Sequence, residues 1–337
     1  MKRTAVVVDK EYLKHVPGDA HPERPERIGA LLDLAGGLDR EQFVLVPPRS
    51  ASRAQVEQIH HSDHVRLVES TSTVNRYALD GDTITCRDSF GVALLAAGGF
   101  LTVLDSIAAK ESENGFALVR PPGHHALPNR AMGFCLFNTM AIGAEYLKRN
   151  HGAKKIMIVD WDVHHGNGTQ DAFYHDPAVL FLSTHQYPYY PGTGAVNEVG
   201  AGAGAGFTIN VPLPAGCADR QYGQVFQDVV IAAAEKFCPE WVLVSAGFDP
   251  HQRDPLGGMG VTEQGFGVMA RTLLDLASKF ADGRIAIFLE GGYVLAGLRN
   301  STAAVLAEMR ASGASAVGRL PLAESGIEPV LRRVLQV

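Results

Sequence analysis

The stretch IMIVDWDVHHGNGTQ, residues 156–170, joins a short apolar run to a cluster of acidic and histidine side chains. Asp162 and His164 are two residues apart, so an extended backbone points both to one side, where their oxygen and nitrogen atoms can share a divalent ion. Asp160 lies on that side too and can orient a neighbour or hold a second ion. An ordinary polar loop after a buried strand is the alternative, and burying such groups without partners is unfavourable. The stretch therefore predicts a metal site at a strand end.

Apolar runs typical of strands recur along the chain, and longer stretches with helical spacing lie between most of them. The strand-like runs are TAVVV (4–8), FALV (116–119), KIMIV (155–159), VLFLS (179–183), FTINV (207–211), WVLVS (241–245) and IAIFL (285–289). The helical stretches are 89–110, 137–149, 219–236, 263–279 and 294–311. This alternation predicts an α/β fold with a parallel sheet covered by helices on both faces. No Pro/Ser-rich linker interrupts it, so we predict one domain over residues 1–337.

Polar motifs follow five of the predicted strands, and ligands of such sheets lie beyond the carboxyl ends of the strands. We therefore expect these motifs to meet at one edge of the sheet. They are RPPGHH (120–125), DWDVHH (160–165), STHQYPYYPGTG (183–194), AGFDPHQRDPLGG (246–258) and EGGY (290–293). The glycine-rich stretch 199–206 lacks the Lys-Ser/Thr pair and the helix of a phosphate-binding loop, which predicts a flexible loop.

Composition narrows the class of protein. The 337 residues are 46% hydrophobic and carry a net charge of −6, with no basic run, so nucleic-acid binding is disfavoured and a cationic peptide or amine substrate is favoured. Four widely spaced cysteines without a CxxC pair predict free thiols in a reduced compartment. No uninterrupted run of 18 apolar residues and no signal-peptide core occur, so we expect a cytoplasmic protein without a membrane segment.

A zinc hydrolase usually needs a third protein ligand and an open position for water, and Asp249 after the run WVLVS is the best donor. The alternative is that Asp249 caps a turn before Pro250. A metal held by Asp162, His164 and Asp249 can polarise a carbonyl and lower the pKa of bound water towards ~7.

Amide hydrolysis also needs a group that takes a proton from water and gives one to the leaving amine. The pair His124–His125 can serve both needs, with Asp160 and Asn167 as candidates that orient the imidazoles. Tyr293, after two glycines, can bind the oxyanion with its phenol. A tyrosine that packs at the start of a helix is the alternative reading of this residue.

Taken together, these motifs resemble the zinc-dependent histone deacetylase superfamily, particularly its class II members and the bacterial histone deacetylase-like amidohydrolases. The similarity runs from HPERPERI at His21 to Tyr293 and beyond. Besides RPPGHH, DWDVHHGNGTQ and EGGY, the motifs that carry it are GFCLFN (133–138), PGTG (191–194), SAGFD (245–249) and DPLGG (254–258).

The resemblance implies an arginase/deacetylase fold with a central eight-stranded parallel sheet flanked by helices. It implies one catalytic Zn²⁺ held by Asp162, His164 and Asp249, with His125 as general base and acid, His124 as its electrostatic partner, and Tyr293 as the group that binds the substrate carbonyl. Asp160 would support His124 and, with Ser183 and nearby backbone oxygens, hold a structural K⁺. Asn167, where many class I relatives carry Asp, would be a neutral orienting partner of His125.

The resemblance also implies a substrate channel with Phe134 and Tyr190 as its walls and with Gly133 and Leu256 beside them. Polyamine-selective relatives can carry glutamate at the position of Leu256, and leucine offers no charge to a second ammonium. We therefore expect deacylation of an N-acyl-lysine peptide or protein. An acetylpolyamine or another small acyl-amine remains an alternative substrate.

Two other functions are weighed against this one. Arginase, with the same fold, needs further carboxylates for a second manganese, but Gly166 and His251 stand where they would be expected. A non-catalytic protein that binds acyl-lysine or a small ligand should have lost part of the site, whereas this chain retains every member. The sequence leaves open the acyl chain length, the physiological substrate, zinc against iron or cobalt, and the oligomeric state.

Overall fold

The computed structural model describes residues 3–310 and 325–336. An eight-stranded sheet has the order β2-β1-β5-β10-β9-β6-β7-β8, and the remaining two strands form a separate antiparallel pair. In chain order the strands are β1 (Arg3–Val7), β2 (Phe43–Leu45), β3 (Tyr77–Ala78), β4 (Ile84–Thr85), β5 (Ser112–Ala117), β6 (Ile156–Asp160), β7 (Val179–Gln186), β8 (Thr208–Leu213), β9 (Trp241–Ala246) and β10 (Ile285–Leu289). The predicted fold class is confirmed.

Eleven α-helices are described between and after these strands. They are α1 (Glu26–Gly36), α2 (Arg53–Val56), α3 (Ser62–Ser70), α4 (Ser89–Ala108), α5 (Thr139–Asn150), α6 (Asn167–Phe173), α7 (Asp219–Val225), α8 (Ile231–Phe237), α9 (Glu263–Phe280), α10 (Leu295–Arg310) and α11 (Glu328–Gln336). A π-helical turn at Phe226–Val230 joins α7 to α8, so the predicted helix 219–236 is continuous but contains this turn. Each of the five predicted helices is present, and residue 311, the predicted end of the last one, lies outside the described residues.

Strand β2 is not predicted from the sequence because it has only three residues, one of them buried and one exposed. A run of that length shows no alternation of apolar and polar residues over several positions. Strand β5 begins four residues before the predicted run 116–119, at Ser112, where it pairs with Arg3 of β1. The polar residues Glu113 and Asn114 hide this start in the sequence.

The packing of the described residues divides the chain into two compact units, and we describe each by itself. Unit 1 comprises Met1–Gly152, Asn167–Ala172 and Ala286–Glu290, and unit 2 comprises Ala153–Gly166, Phe173–Ile285 and Gly291–Val337. The single domain over residues 1–337 stays a prediction.

Unit 1 is built on parallel pairing of β1 with β2 and β5, and of β5 with β10. Helix α4 packs on β1 and β5 and is largely buried. Among the described residues it is the one helix long and apolar enough to cross a membrane, but 67% of that apolar window is buried inside the protein, which is typical of a core helix.

Unit 2 is built on β6, which pairs in parallel with β7 on one side and β9 on the other. The five residues of β6 are all buried, as expected of a parallel strand covered on both faces. Asp160, at the end of β6, lies in register with Ser183 of β7 and Ser245 of β9. The carboxyl ends of three strands are thereby aligned, and the chain beyond them carries the predicted metal ligands.

Candidate active site

Three predicted metal ligands lie together in unit 2. Asp162 and His164 follow β6, and Asp249 follows β9. His164 Nδ1 lies 3.0 Å from Asp162 Oδ1 and 3.2 Å from Asp249 Oδ2. Both carboxylates are almost wholly buried, with exposed fractions of 1% for Asp162 and 0% for Asp249. The aligned ends of β6 and β9 therefore bring two loops 85 residues or more apart in sequence to one point.

Main-chain groups orient the two carboxylates. The Val163 N–H donates to Asp249 Oδ1 at 2.8 Å, and the Gly291 N–H donates to Asp162 Oδ2 at 2.9 Å. Glycines are required where the chain passes this close. A Cβ on Gly247 would lie 2.1 Å from Asp162 Oδ2, and one on Gly291 would lie 2.2 Å from Asp249 Oδ2.

The electrostatics of this cluster favour a cation. Burial, and then the charge of Asp162, raise the pKa of Asp249 to about 7. Burial alone would lower the pKa of His164, but the adjacent carboxylates of Asp162 and Asp249 outweigh it and raise this pKa well above its usual value. Asp249 Oδ2 accepts no hydrogen bond from the described residues although it is buried. A divalent cation would neutralise both carboxylates and coordinate this oxygen.

The geometry of the cluster fits zinc. Two ligand atoms at ~2.0–2.1 Å from a tetrahedral zinc lie ~3.3 Å apart, close to the measured separations of 3.0 and 3.2 Å. All three donor atoms lie within 4.8 Å of one another. Two carboxylates and one imidazole leave a fourth position for water or substrate, as in catalytic rather than structural zinc sites.

Tyr293 lies in the same unit, in the turn that precedes α10. It is 8% exposed, and its N–H donates to Asp254 Oδ2 at 2.6 Å. The preceding Gly292 has φ +114°, and a Cβ there would lie 2.8 Å from the side chain of Phe248. Only glycine suits both the backbone angle and the space.

The aromatic turn 187–192 lies against His164. The ring of Tyr190 meets the His164 ring edge-on, at 6.1 Å between centroids, and the ring of Tyr189 is stacked on it at 5.5 Å with 18° between the planes. Both tyrosines are 37% exposed. The Tyr189 hydroxyl also donates to the backbone oxygen of Leu256 at 3.3 Å, which ties this turn to the loop after β9.

The two residues predicted to hold potassium lie on neighbouring strands. Asp160 is fully buried, and its Oδ1 accepts the Asp162 N–H at 3.1 Å. Ser183 Oγ lies 3.0 Å from His185 Nδ1, and His185 Nε2 donates to Gly194 O at 2.9 Å. Burial lowers the pKa of His185 to about 4, so the ring is neutral and its Nδ1 accepts the Ser183 hydroxyl hydrogen. The Ser183 oxygen therefore keeps its lone pairs for a cation.

The histidine pair lies in unit 1, in the loop after β5. Glu290, at the end of β10, holds this loop because its Oε2 accepts the N–H of Gly123 at 2.6 Å and of His124 at 3.2 Å. The rings of His124 and His125 lie 4.0 Å apart between centroids, and both residues are buried.

Asn167, also in unit 1, determines which nitrogen of His125 carries its proton. Its Oδ1 lies 2.8 Å from His125 Nδ1, and its Nδ2 donates to His125 O at 3.4 Å. The amide oxygen can only accept, so Nδ1 donates the hydrogen. In neutral His125 the lone pair is then on Nε2, the nitrogen available to take a proton.

Gly133 and Phe134 adopt consecutive left-handed conformations in unit 1, with φ +56° and +67°. A Cβ on Gly133 would lie 2.3 Å from Cδ2 of His125, so the main chain passes directly against that ring. The Phe134 N–H donates to Thr83 Oγ1 at 3.1 Å, and the His21 ring packs edge-on against Phe134 at 4.7 Å. Such strain in a non-glycine residue persists where the surroundings hold it and is often found at functional sites.

The described residues contain one further group of possible metal donors, His124, Cys135 and Glu290 in unit 1. Glu290 already accepts two main-chain N–H groups, and the Cys135 thiol donates to Gly133 O at 3.2 Å. His251, where a second manganese ligand of arginase would be expected, is buried, and its Nδ1 accepts the Arg253 N–H at 3.3 Å. Within residues 3–310 and 325–336, no second cluster of carboxylates stands beside the three ligands of unit 2.

Comparison with known proteins agrees with this geometry. A model of the histone deacetylase domain matches residues 21–309. The chain belongs to the histone deacetylase family. It is 41% identical over 318 residues to a probable deacetylase of Archaeoglobus fulgidus, covering 93% of this chain and 88% of that protein. It is 40% identical over 303 residues to histone deacetylase 10, chloroplastic, of Oryza sativa subsp. japonica, covering 85% of this chain and 68% of that one.

A solved structure described as the HDA15 HD domain has 38% sequence identity and a TM-score of 0.91, covering 99% of this chain and 94% of that chain. Membership of the histone deacetylase family supports a hydrolytic deacetylase that acts on acetylated substrates. The predicted site residues of this deacetylase fall into two groups. Unit 1 carries His124, His125, Gly133, Phe134 and Asn167, and unit 2 carries Asp160, Asp162, His164, Ser183, Tyr190, Asp249, Leu256 and Tyr293.

Three further residues near the candidate site were not singled out from the sequence. Glu290 and Asp254 stand inside the quoted motifs EGGY and DPLGG, so their signal was present, but motif membership does not reveal which main-chain groups a carboxylate binds. Tyr189 precedes Tyr190 in the aromatic turn. Nothing in the local sequence indicates that its ring stacks on His164.

Proposed function

We propose that this deacetylase is a zinc-dependent amidohydrolase that removes an acyl group from the side-chain nitrogen of lysine. The proposed acyl group is acetyl. The observation that carries the proposal is the donor set of Asp162, His164 and Asp249, whose separations of 3.0 and 3.2 Å suit zinc. The same turn that donates to Asp162 leads directly into Tyr293. Family membership supports the reaction class.

Asp162, His164 and Asp249 would hold the zinc ion. When bound there, zinc supplies Lewis acidity that polarises a carbonyl and lowers the pKa of water to about 7. The remaining tasks belong to side chains of the protein, which must move a proton, bind the developing oxyanion and place the substrate.

His125 is proposed to move the proton. Its Nδ1–H donates to Asn167 Oδ1 at 2.8 Å, which leaves Nε2 to accept a proton from the attacking water. The same nitrogen then donates the proton to the leaving lysine amine. His124, whose ring centroid lies 4.0 Å away, is proposed to tune the charge of this imidazole, and Asp160 to support His124.

Tyr293 is proposed to donate its phenol hydrogen bond to the substrate carbonyl as this oxygen gains negative charge. A donor that is already fixed before the reaction loses little free energy to reorganisation. The hydrogen bond of the Tyr293 N–H to Asp254 fixes its main chain, and the residue as a whole is 8% exposed.

Phe134 and Tyr190 are proposed to hold the aliphatic stem of lysine between their rings, beside the main chain of Gly133. Leu256 would complete this wall and offers no charge to a polyamine ammonium. The proposed substrate is therefore an acyl-lysine peptide or protein. A structural K⁺ is proposed at Asp160 and Ser183, supported by the oxygen lone pairs that Ser183 keeps.

The test is a panel of fluorogenic acyl-lysine peptides and acetylated polyamines, read as kcat/KM. Chelation should abolish turnover, and added zinc should restore it. His125→Ala and Tyr293→Phe should each lower kcat by ~10²-fold or more. His175→Ala, a change of an exposed histidine after α6, serves as the matched control and should leave turnover at the wild-type value.

Several outcomes would contradict the proposal. Turnover by a chelated sample without detectable metal would exclude the zinc mechanism, and wild-type turnover in folded, metal-loaded His125→Ala would exclude the proposed base. Preference for acetylated polyamines would favour the small-amine alternative. Binding of acyl-lysine without turnover would identify a non-catalytic protein.

We also propose a cytoplasmic location, supported by the four cysteines, all of which are free thiols. Fractionation of cells that express the native chain should recover it with cytoplasmic markers. Recovery with membranes or in the medium would refute this location.

A further inference from the structure

Asp254 binds the main chain at two places that matter for the proposed reaction. Its Oδ2 accepts the N–H of Tyr293 at 2.6 Å and of Val294 at 3.1 Å, and its Oδ1 accepts the N–H of Leu256 at 3.0 Å. The residue is 6% exposed, so these are charge-assisted hydrogen bonds largely shielded from water. One carboxylate therefore fixes the start of the Tyr293 turn and the loop that carries Leu256.

Tyr189 contacts Leu256 as well, at its main-chain oxygen. Its hydroxyl donates to Leu256 O at 3.3 Å, while its ring stacks on His164 with 18° between the planes. The main-chain N–H of Leu256 thus binds Asp254, and its C=O binds Tyr189. Asp254 also binds the Tyr293 turn, and the ring of Tyr189 covers His164, a proposed metal ligand.

We propose that Asp254 and Tyr189 are positioning residues that clamp the main chain of Leu256 and thereby set substrate selectivity. The clamp fixes the Leu256 side chain relative to the Tyr293 phenol on one side and to His164 on the other. It rests on the proposed function, because Leu256 and Tyr293 act there on the acyl-lysine.

Substitutions of Asp254 and Tyr189 are expected to have different effects on catalysis. In Asp254→Asn an NH₂ group replaces one oxygen and cannot accept, so either Leu256 or the Tyr293 turn loses its acceptor. A displaced Tyr293 lowers kcat more than it changes KM, because its hydrogen bond strengthens only as the oxyanion forms. Tyr189→Phe removes only the hydroxyl and keeps the ring on His164, so selectivity changes while zinc affinity stays the same.

The experiment measures kcat and KM for one acetyl-lysine peptide and one acetylated polyamine in zinc-loaded wild type, Asp254→Asn, Tyr189→Phe and the double variant. Tyr187→Phe, in the same turn, is the matched control, because the Tyr187 hydroxyl makes no hydrogen bond with the described residues. Zinc affinity is measured by competition with a chromogenic chelator. Hydrogen exchange of peptides that contain Leu256 and Tyr293 reports the clamp without any substrate.

We expect Asp254→Asn to lower kcat by ~10–100-fold and to speed amide exchange at Leu256 or Tyr293. Tyr189→Phe should change the ratio of the two kcat/KM values by ~3–10-fold at unchanged zinc affinity, about the size of one neutral hydrogen bond. Because both residues hold one peptide group, the double variant should change the ratio by less than the product of the single changes.

Unchanged selectivity and unchanged exchange in both variants, with wild-type turnover intact, would refute the clamp alone. Faster exchange with unchanged kcat and selectivity would show that the contacts are only structural and would also refute it. A wild type that hydrolyses no member of the panel would instead refute the proposed function, and the exchange measurement would still report whether Asp254 holds the two loops.

Discussion

Replacement of Asn167 by aspartate tests the proposed base directly, because it changes one functional group and adds one charge. Asn167 Oδ1 accepts the hydrogen of His125 Nδ1 at 2.8 Å. A carboxylate at that place can accept the same hydrogen bond, so the orientation of the imidazole is kept. The new negative charge favours the protonated imidazole, which cannot accept a proton from water.

The size of the effect follows from the distance and the burial. Opposite unit charges ~4 Å apart at an effective dielectric constant of ~20 attract by ~4 kcal/mol, or ~3 pH units at ~1.4 kcal/mol per unit. His125 is 3% exposed, whereas Asn167 is half-buried, so water near the carboxylate screens part of this attraction. We expect the acid limb of the pH profile to move to higher pH by ~1–3 units.

The assay measures kcat/KM for an acetyl-lysine peptide between about pH 5 and 10, because histidine and metal-activated water titrate in roughly this range. Asn129→Asp is the matched control, because it adds the same charge at an exposed position four residues after His125. Its profile should follow the wild type. An acid limb that stays in place in folded Asn167→Asp would show that His125 is not the base whose protonation limits the reaction.

Two further predictions concern the metal cluster and stability. Gly291→Ala places a Cβ 2.2 Å from Asp249 Oδ2 and should weaken zinc binding ~10-fold or more in chelator competition. Gly29→Ala, which has open space around its Cβ position, is the control and should leave the zinc affinity unchanged. Equal zinc affinities of the two variants would contradict the close packing of Gly291 against Asp249. Burial, and next the charge of His64, lower the pKa of His60 to about 3. The unfolded chain takes up this proton near pH ~6.5, so stability should fall as pH drops from there towards ~3, by up to ~5 kcal/mol from this residue. His60→Gln should flatten this dependence in urea unfolding, and an unchanged slope would contradict it.

The sequence allowed the grouping of Asp162, His164 and Asp249 to be predicted because the signal for it is local. Asp162 and His164 stand two apart after a strand, and Asp249 follows another strand, so the rule that parallel strands end at one edge was sufficient. The hydrogen bond between Asn167 and His125 joins residues 42 positions apart, and that from Tyr293 to Asp254 joins residues 39 apart. Such contacts depend on how loops pack and leave no periodic signal in the chain.

Loop conformations could not be predicted from the sequence for the same reason. The motif GFCLFN shows a glycine and an aromatic residue, but not that Gly133 and Phe134 both adopt positive φ or that the chain passes against the His125 ring. Positive φ is expected of glycine and not of phenylalanine. Phe134 adopts it in a folded chain in which Thr83 accepts its N–H, and Thr83 lies 51 residues away in sequence.

The turn from Gly291 to Tyr293 explains why two glycines precede the phenol. The Gly291 N–H binds Asp162, its α-carbon passes too close to Asp249 for any side chain, and the Tyr293 N–H binds Asp254. The main chain of one short turn therefore contacts both proposed carboxylate ligands of the metal just before Tyr293. The separation between the proposed metal position and the phenol would then be determined by backbone geometry, which varies less than that of a long flexible side chain. This arrangement suits the proposed role of Tyr293 in binding the oxyanion, because the main chain that carries the phenol is fixed before the reaction begins.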